Sequence, residues 1–261
     1  MWHDEFDGPA GALPDAAKWV PEAGAHTWGN HEMERYTALA ENASLDGQGH
    51  LVILAWAKPN GEYTSARLKT QGLFSVVYGK IEARMQIPYG QGMWPAFWML
   101  GVDFPENGWP TCGEIDIMEN IGKEPFSIHG TVHGPGYSGR NGIGGTATLT
   151  TGRSVADDFH VFGVIWEEDG IQFQLDGETY LRVTPSSLPT GAHWVYSHPF
   201  YLLLNLAVGG DWPGPPDATT EFPQRLVVDY VRVYADAEHL LRRPQQAAPT
   251  LPAKRLSEPL P

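Results

Sequence analysis

The chain has 261 residues, a formal net charge of −14 and 42% hydrophobic residues, enough apolar content to build a core. So acidic a chain is not expected to bind nucleic acid or anionic membranes, which need basic surface. No run of 18 or more apolar residues is present, so no membrane-spanning helix is expected, and the single cysteine, Cys112, excludes an internal disulfide and reads as a packed thiol.

Helical periodicity is almost absent. Short β-rich runs alternate with turn signals at Asp46-Gly47, Asn60-Gly61, Asp169-Gly170 and Asp176-Gly177, the spacing of an all-β sandwich or barrel. Residues 81–87 alternate apolar and polar without a break, which predicts a strand with one face in the core. Residues 160–166, a Glu-Glu-Asp-Gly turn and residues 171–175 predict a hairpin. Residues 200–208 are apolar except for Asn205 and predict a strand buried on both faces. Residues 226–234 predict a last strand, ending a body at residues 1–234. Residues 235–261 are proline-rich with four basic and three acidic residues, and read as a tail or linker with a short helix around 237–242.

The stretch Gly113-Glu114-Ile115-Asp116-Ile117-Met118-Glu119-Asn120 places three carboxylates among apolar residues that read as a strand. Alternation puts Glu114 and Asp116 on one face and Glu119 on the other. One extra residue, a β-bulge with Met118 as the candidate insertion, would return Glu119 to the Glu114 face. Crowded acids raise at least one pKa, and a pair in opposite protonation states is what glycosidic cleavage requires. Two other readings fit the pattern: an edge strand with acids in solvent, and a divalent-cation site. His129 and His133 would stand roughly 13 Å apart on a strand, too far to share one zinc ion without a bend. The 10 Trp exceed what a core of this size needs, and flat indole faces stack on sugar rings. An acidic surface suits a neutral polymer.

Several separated motifs then occur in order: Trp28-Gly29-Asn30-His31-Glu32, Tyr63-Thr64-Ser65-Ala66-Arg67, residues 92–100, residues 108–112 with the acid row, Thr131-Val132-His133-Gly134, residues 205–214 and residues 228–234. Together they resemble glycoside hydrolase family 16, specifically its laminarinase-like endo-β-1,3-glucanases with the bulged Glu-x-Asp-x-x-Glu strand. The resemblance covers about residues 6–234. It implies a β-jelly-roll sandwich of two antiparallel sheets with a concave substrate cleft. It implies Glu114 as nucleophile, Glu119 as acid/base and Asp116 as the hydrogen-bonding group between them. Trp94, Trp98, His133, Asn30, Arg67, Trp109 and Trp212 match substrate-binding positions. No cofactor is implied for catalysis. A structural Ca²⁺ is implied on the convex side, with Asp229 as side-chain ligand and Glu5 and a glycine of residues 46–49, Gly47, as carbonyl donors. The expected partner is a β-1,3-glucan, acted on by a secreted monomer, although no signal peptide opens this sequence. The alternatives are a mixed-linkage β-1,3-1,4-glucanase, against which the extra residue in the acid row argues, and a non-catalytic glucan-binding protein, against which the three retained acids argue.

Overall fold

In a computed structural model, residues 1–150 and 152–235 and the backbone strand Leu240–Arg242 are described. Two sheets, of ten and nine strands, stack face to face. Pairing is antiparallel throughout, apart from the parallel match of Glu34–Tyr36 with Tyr63–Ser65. The nine-stranded sheet carries the site. Its central order is Ile143–Thr148, Ser127–His133, Glu114–Glu119, Met93–Gly101, Phe200–Val208, Arg67–Lys69, Val20–Glu22.

Alternation along these strands divides core from cleft. On Met93–Gly101 the side chains of Met93, Phe97 and Met99 join the core, while Trp94, Ala96, Trp98 and Leu100 line the opposite face. On Phe200–Val208 the core takes Leu202, Leu204, Leu206 and Val208, and Asn205 and Ala207 face out. This strand is buried along its whole length, as its apolar run predicts. The other sheet supplies the matching apolar layer through Ile81, Ala83 and Met85 of Gly79–Gln86 and Phe162 and Val164 of His160–Glu167. The strands His160–Glu167 and Gly170–Leu175 form the expected hairpin. Cys112 is buried, and burial pushes its thiol up to about 12, so it stays an unreactive thiol at neutral pH.

The bulge is present on the acid strand. Asp116 pairs with Thr131 and Glu119 with His129, so two residues, Ile117 and Met118, stand opposite Gly130 alone. On the other ladder Met118 keeps a partner, Phe97, and Ile117 is passed over. The inserted residue is therefore Ile117 rather than Met118. Both are fully buried in the core, two successive side chains on one side that a regular strand would split. Gly130 is where the core closes under the bulge. A Cβ there would sit 2.5 Å from Phe173 Cδ1 and closer still to Tyr180 Oη. Gly130→Ala should cost about 1–3 kcal/mol, the usual penalty of overpacking, and should displace the acid strand as well. Chemical melts paired with activity would show both losses; a variant of wild-type stability would contradict this packing.

Beyond the predicted body, Leu240–Arg242 is a strand paired antiparallel with Phe74–Val76, not part of a helix. Paired structure thus continues past residue 234. The remainder of the expected helix and tail, at 236–239 and 243–261, lies outside the described residues.

Candidate active site

The acid strand crosses the middle of a cleft of about 1010 Å³. Its ladder partners explain the spacing. Glu114 stands opposite Leu100 and Glu119 opposite Ala96, so five steps on the bulged strand match four on its neighbour. Both glutamates therefore project into the cleft with Asp116 between them. The expected parity correction holds.

Asp116 is buried and the two glutamates are half-buried on the cleft floor, and their protonation is displaced accordingly. Burial first, and then the charge of Asp116, drives Glu114 well above the ordinary carboxylate range, with the His133 and Arg67 charges opposing. Burial raises Asp116 to about 8. Burial and Asp116 together raise Glu119 to about 8, while a hydrogen bond from Trp94 Nε1 at 2.9 Å pulls the other way. At neutral pH the row therefore retains protons, and the three groups titrate as a coupled set.

This has a stability consequence whose sign is fixed. An Asp carboxyl ionises near 3.9 in the unfolded chain and near 8 at Asp116 in the fold. Folding thus favours its protonated form. That contribution is complete below about 4 and is lost as pH rises through 8. Asp116→Asn should raise the melting temperature at pH 8 by about 4–8 °C, the shift of about 2 kcal/mol in a domain of this size, and leave it nearly unchanged at pH 4. Thermal melts at the two pH values decide it, and an equal shift at both would contradict the desolvation account.

Around the acids the strands set a polar and aromatic frame. His133 faces Glu114 across the ladder, with Nε2 3.1 Å from Asp116 Oδ2 and 3.7 Å from Glu114 Oε1. Asp116 lies against His133 and makes no hydrogen bond to Glu114 among the described contacts. Trp98 donates through Nε1 to Asn205 Oδ1 at 2.8 Å, and Asn205 Nδ2 donates to Tyr36 Oη at 3.2 Å. Tyr36 Oη donates in turn to Glu32 Oε2 at 3.1 Å, and Asn30 Nδ2 donates to Glu32 Oε1 at 3.2 Å. Arg67 sits between the rings of Trp28 and Trp98, 4.9 and 4.8 Å from their centroids, and donates to Glu22 Oε2 at 2.6 Å. Its charge is thereby held over two aromatic rings. Trp212 stands edge-on to both Trp94 and His129, with centroids 5.7 and 5.0 Å apart. Trp109 lies at the cleft's other end, 6.1 Å from the His133 ring and 46% exposed. An open ring of that kind is available for stacking.

Every expected cleft residue lines this one cavity: Trp94, Trp98, His133, Asn30, Arg67, Trp109, Trp212 and the three acids. Trp28, Glu32, His129 and Asn205 line it too, beyond the expected set. Asn205 had a signal, as the one polar residue in an apolar strand. Trp28 had none. It rides a loop where Thr27, Trp28 and His31 all have positive φ, a strained backbone that sequence does not announce. Glu32 is held next to Glu34, and burial together with the Glu32 charge lifts Glu34 to about 8.

Residues 27–232 match the family model described as Glycosyl hydrolases family 16. The chain belongs to glycosyl hydrolase family 16. It is 44% identical to a beta-glucanase of Rhodothermus marinus, over 90% of this chain and 84% of that protein. Among solved structures, the laminarinase catalytic domain of Thermotoga maritima is 46% identical with a TM-score of 0.84, covering 90% of this chain and 97% of that one. The endo-beta-1,3-glucanase of Pyrococcus furiosus is 47% identical with a TM-score of 0.83, covering 93% and 95%. This family 16 chain is thus a glycoside hydrolase with a jelly-roll of two sheets.

The convex-side calcium implied by the family resemblance meets a different arrangement here. Asp229 accepts from Arg84 Nη1 at 2.6 Å, and that guanidinium also lies 4.5 Å over the Phe159 ring. The glycine beside the Glu5 carbonyl is Gly49, whose Cβ position lies 3.9 Å from Glu5 O, whereas Gly47 abuts Ala10. The Glu5 carboxylate is taken by Arg232 at 2.9 and 2.8 Å. A lone carboxylate already neutralised by a guanidinium offers a dication little counter-charge. The donor set does not fit calcium as arranged, and no role is derived through it.

Proposed function

We propose that this protein is a retaining endo-β-1,3-glucanase acting on laminarin-type glucans. The observation that carries the reading is the bulged strand, which presents Glu114 and Glu119 on one cleft face, two pleats apart, with aromatic walls on either side. Two pleats separate Cα atoms by roughly 13 Å. Glutamate side chains leaning together suit the roughly 5–5.5 Å carboxyl spacing of retaining enzymes.

In the first step a Glu114 oxygen forms a bond to C1 of the bound glucose as the bond from C1 to the leaving oxygen breaks, and Glu119 gives that oxygen its proton. In the second step Glu119, now a carboxylate, takes a proton from water while the water oxygen displaces Glu114 from C1. Two inversions return the β configuration. The environments support this division. The His133 charge bears on both glutamates, but Arg67 favours the carboxylate at Glu114, whereas the like charge of Glu32 favours the protonated form of Glu119. The positive charge that develops at C1 in the transition state supplies Glu114 with the counter-charge that burial denies it. Asp116, between the two, raises both and couples their protons.

Trp94 and Trp98 would flank the sugar at the cleavage point, with His133, Asn30 and Arg67 on its hydroxyls and Trp109 and Trp212 stacking further along. The body at residues 1–234 would be the catalytic unit and 235–261 a tail, of which Leu240–Arg242 docks on the sheet edge. The protein would act as a secreted monomer on a neutral glucan. Mixed-linkage β-1,3-1,4-glucan is a second substrate worth testing, because a 36% identical solved structure is described as a non-specific endo-beta-1,3(4)-glucanase. Product profiling on laminarin, lichenan and agarose side by side tests the assignment. Laminarin should give the fastest release of oligosaccharides, and faster cleavage of agarose or lichenan would overturn it.

A further inference from the structure

The catalytic row contains a second, unclaimed chemistry. Glu114, Asp116 and His133 each offer one ligand-type atom, and the three atoms lie within 4.8 Å of one another. Two of the three separations are known individually: 3.1 Å from His133 Nε2 to Asp116 Oδ2, and 3.7 Å from the same nitrogen to Glu114 Oε1. A tetrahedral zinc ion with bonds near 2.0–2.2 Å sets its ligand atoms about 3.3–3.6 Å apart. The two observed distances bracket that edge. The expected obstacle to zinc, the distance between His129 and His133, does not arise, because one histidine and two carboxylates suffice.

A second observation points into the same place. Asp116 is only 4% exposed, and its Oδ2 has no hydrogen bond although His133 Nε2 is 3.1 Å away. The two atoms face one another without the alignment of donor and acceptor. A buried acceptor left unmatched is costly, and a cation between the two would satisfy both.

We propose that these three residues form a reversible inhibitory site for zinc, or a divalent ion of similar borderline character, in which the metal and the glucan compete for the same carboxylates. The histidine's surroundings set the strength. A zinc-bound imidazole ordinarily donates its other N–H to an acceptor, whose loss lowers metal affinity by about 10–100-fold. Here His133 Nδ1 is buried with no partner, packed on Gly142, where a Cβ would stand 2.6 Å from it. The site therefore suits an ion that comes and goes rather than a resident one.

The test is a calorimetric titration of the intact protein with zinc chloride in a non-chelating buffer, with His133→Ala and Asp116→Asn titrated alongside and circular dichroism confirming their folds. Other histidines pair with surface acids, such as His50 with Asp46 and His160 with Asp176, so only the difference between proteins is informative. Wild type should show one zinc site that is weakened at least tenfold in both variants, and laminaribiose should lower its apparent affinity. Zinc should also raise KM for laminarin without changing kcat. Isotherms unchanged in both variants would overturn the proposal, as would zinc and laminaribiose binding together without mutual effect. The variant comparison needs no glucan, so it reads the metal site even if the substrate assignment were to fail.

Discussion

Replacing Glu114 by Ala should lower laminarin hydrolysis by at least about 10³-fold, the order seen when a catalytic nucleophile is removed, with the fold intact. The variant loses the atom that bonds to C1, while Glu119 remains in its hydrogen bond with Trp94. Space opens on the face of the sugar that Glu114 occupied. A small anion entering there performs one displacement instead of two. Azide should therefore restore turnover of an activated glucoside and yield the α-glycosyl azide. Reducing-sugar assays read the loss, and NMR of the rescued product reads the stereochemistry. More than a few per cent residual activity, or a β-azide product, would sink the nucleophile assignment.

The second large effect falls on Glu119. Glu119→Gln keeps the shape and can still accept from Trp94, but has no proton to give. Laminarin, whose leaving group is a sugar alkoxide, should lose about 10²–10⁴-fold in kcat/KM, the usual contribution of general acid catalysis. An aryl laminaribioside with a nitrophenolate leaving group needs little protonation, so formation of its glycosyl-enzyme should be nearly unimpaired. In wild type, kcat/KM for laminarin should fall as pH rises through about 8, where Glu119 gives up its proton in the free enzyme. Stopped-flow release of the phenol separates the two substrates. Equal losses on both would mean Glu119 is not the acid.

Much of this site is written locally, and what is not written is what lies across the sheet. The parity of Glu114, Asp116 and Glu119 demands a bulge, because strand alternation is a local rule. Which residue is inserted depends on the neighbouring ladders. Ile117 and Met118 are equally apolar, and only the pairing of Met118 with Phe97 separates them. Trp94 and Trp98 share a face by the same alternation, and their wall position follows. Arg84 and Asp229 are 145 residues apart and meet only because their strands are neighbours, so the ion pair that argues against calcium could not be anticipated. Nor could the choice of Gly49 over Gly47 beside Glu5, since both sit in one turn. Leu240–Arg242 is too short to show a period, and its strand state is imposed by the exposed edge at Phe74–Val76.

Glu114 and Glu119 together would carry out a double displacement on a β-linked glucan. Proton NMR of laminarin digestion, recorded before mutarotation proceeds, tests it most directly. New reducing ends should appear first as the β anomer and drift to the equilibrium mixture. Early accumulation of the α anomer would contradict it, whatever the rate of cleavage.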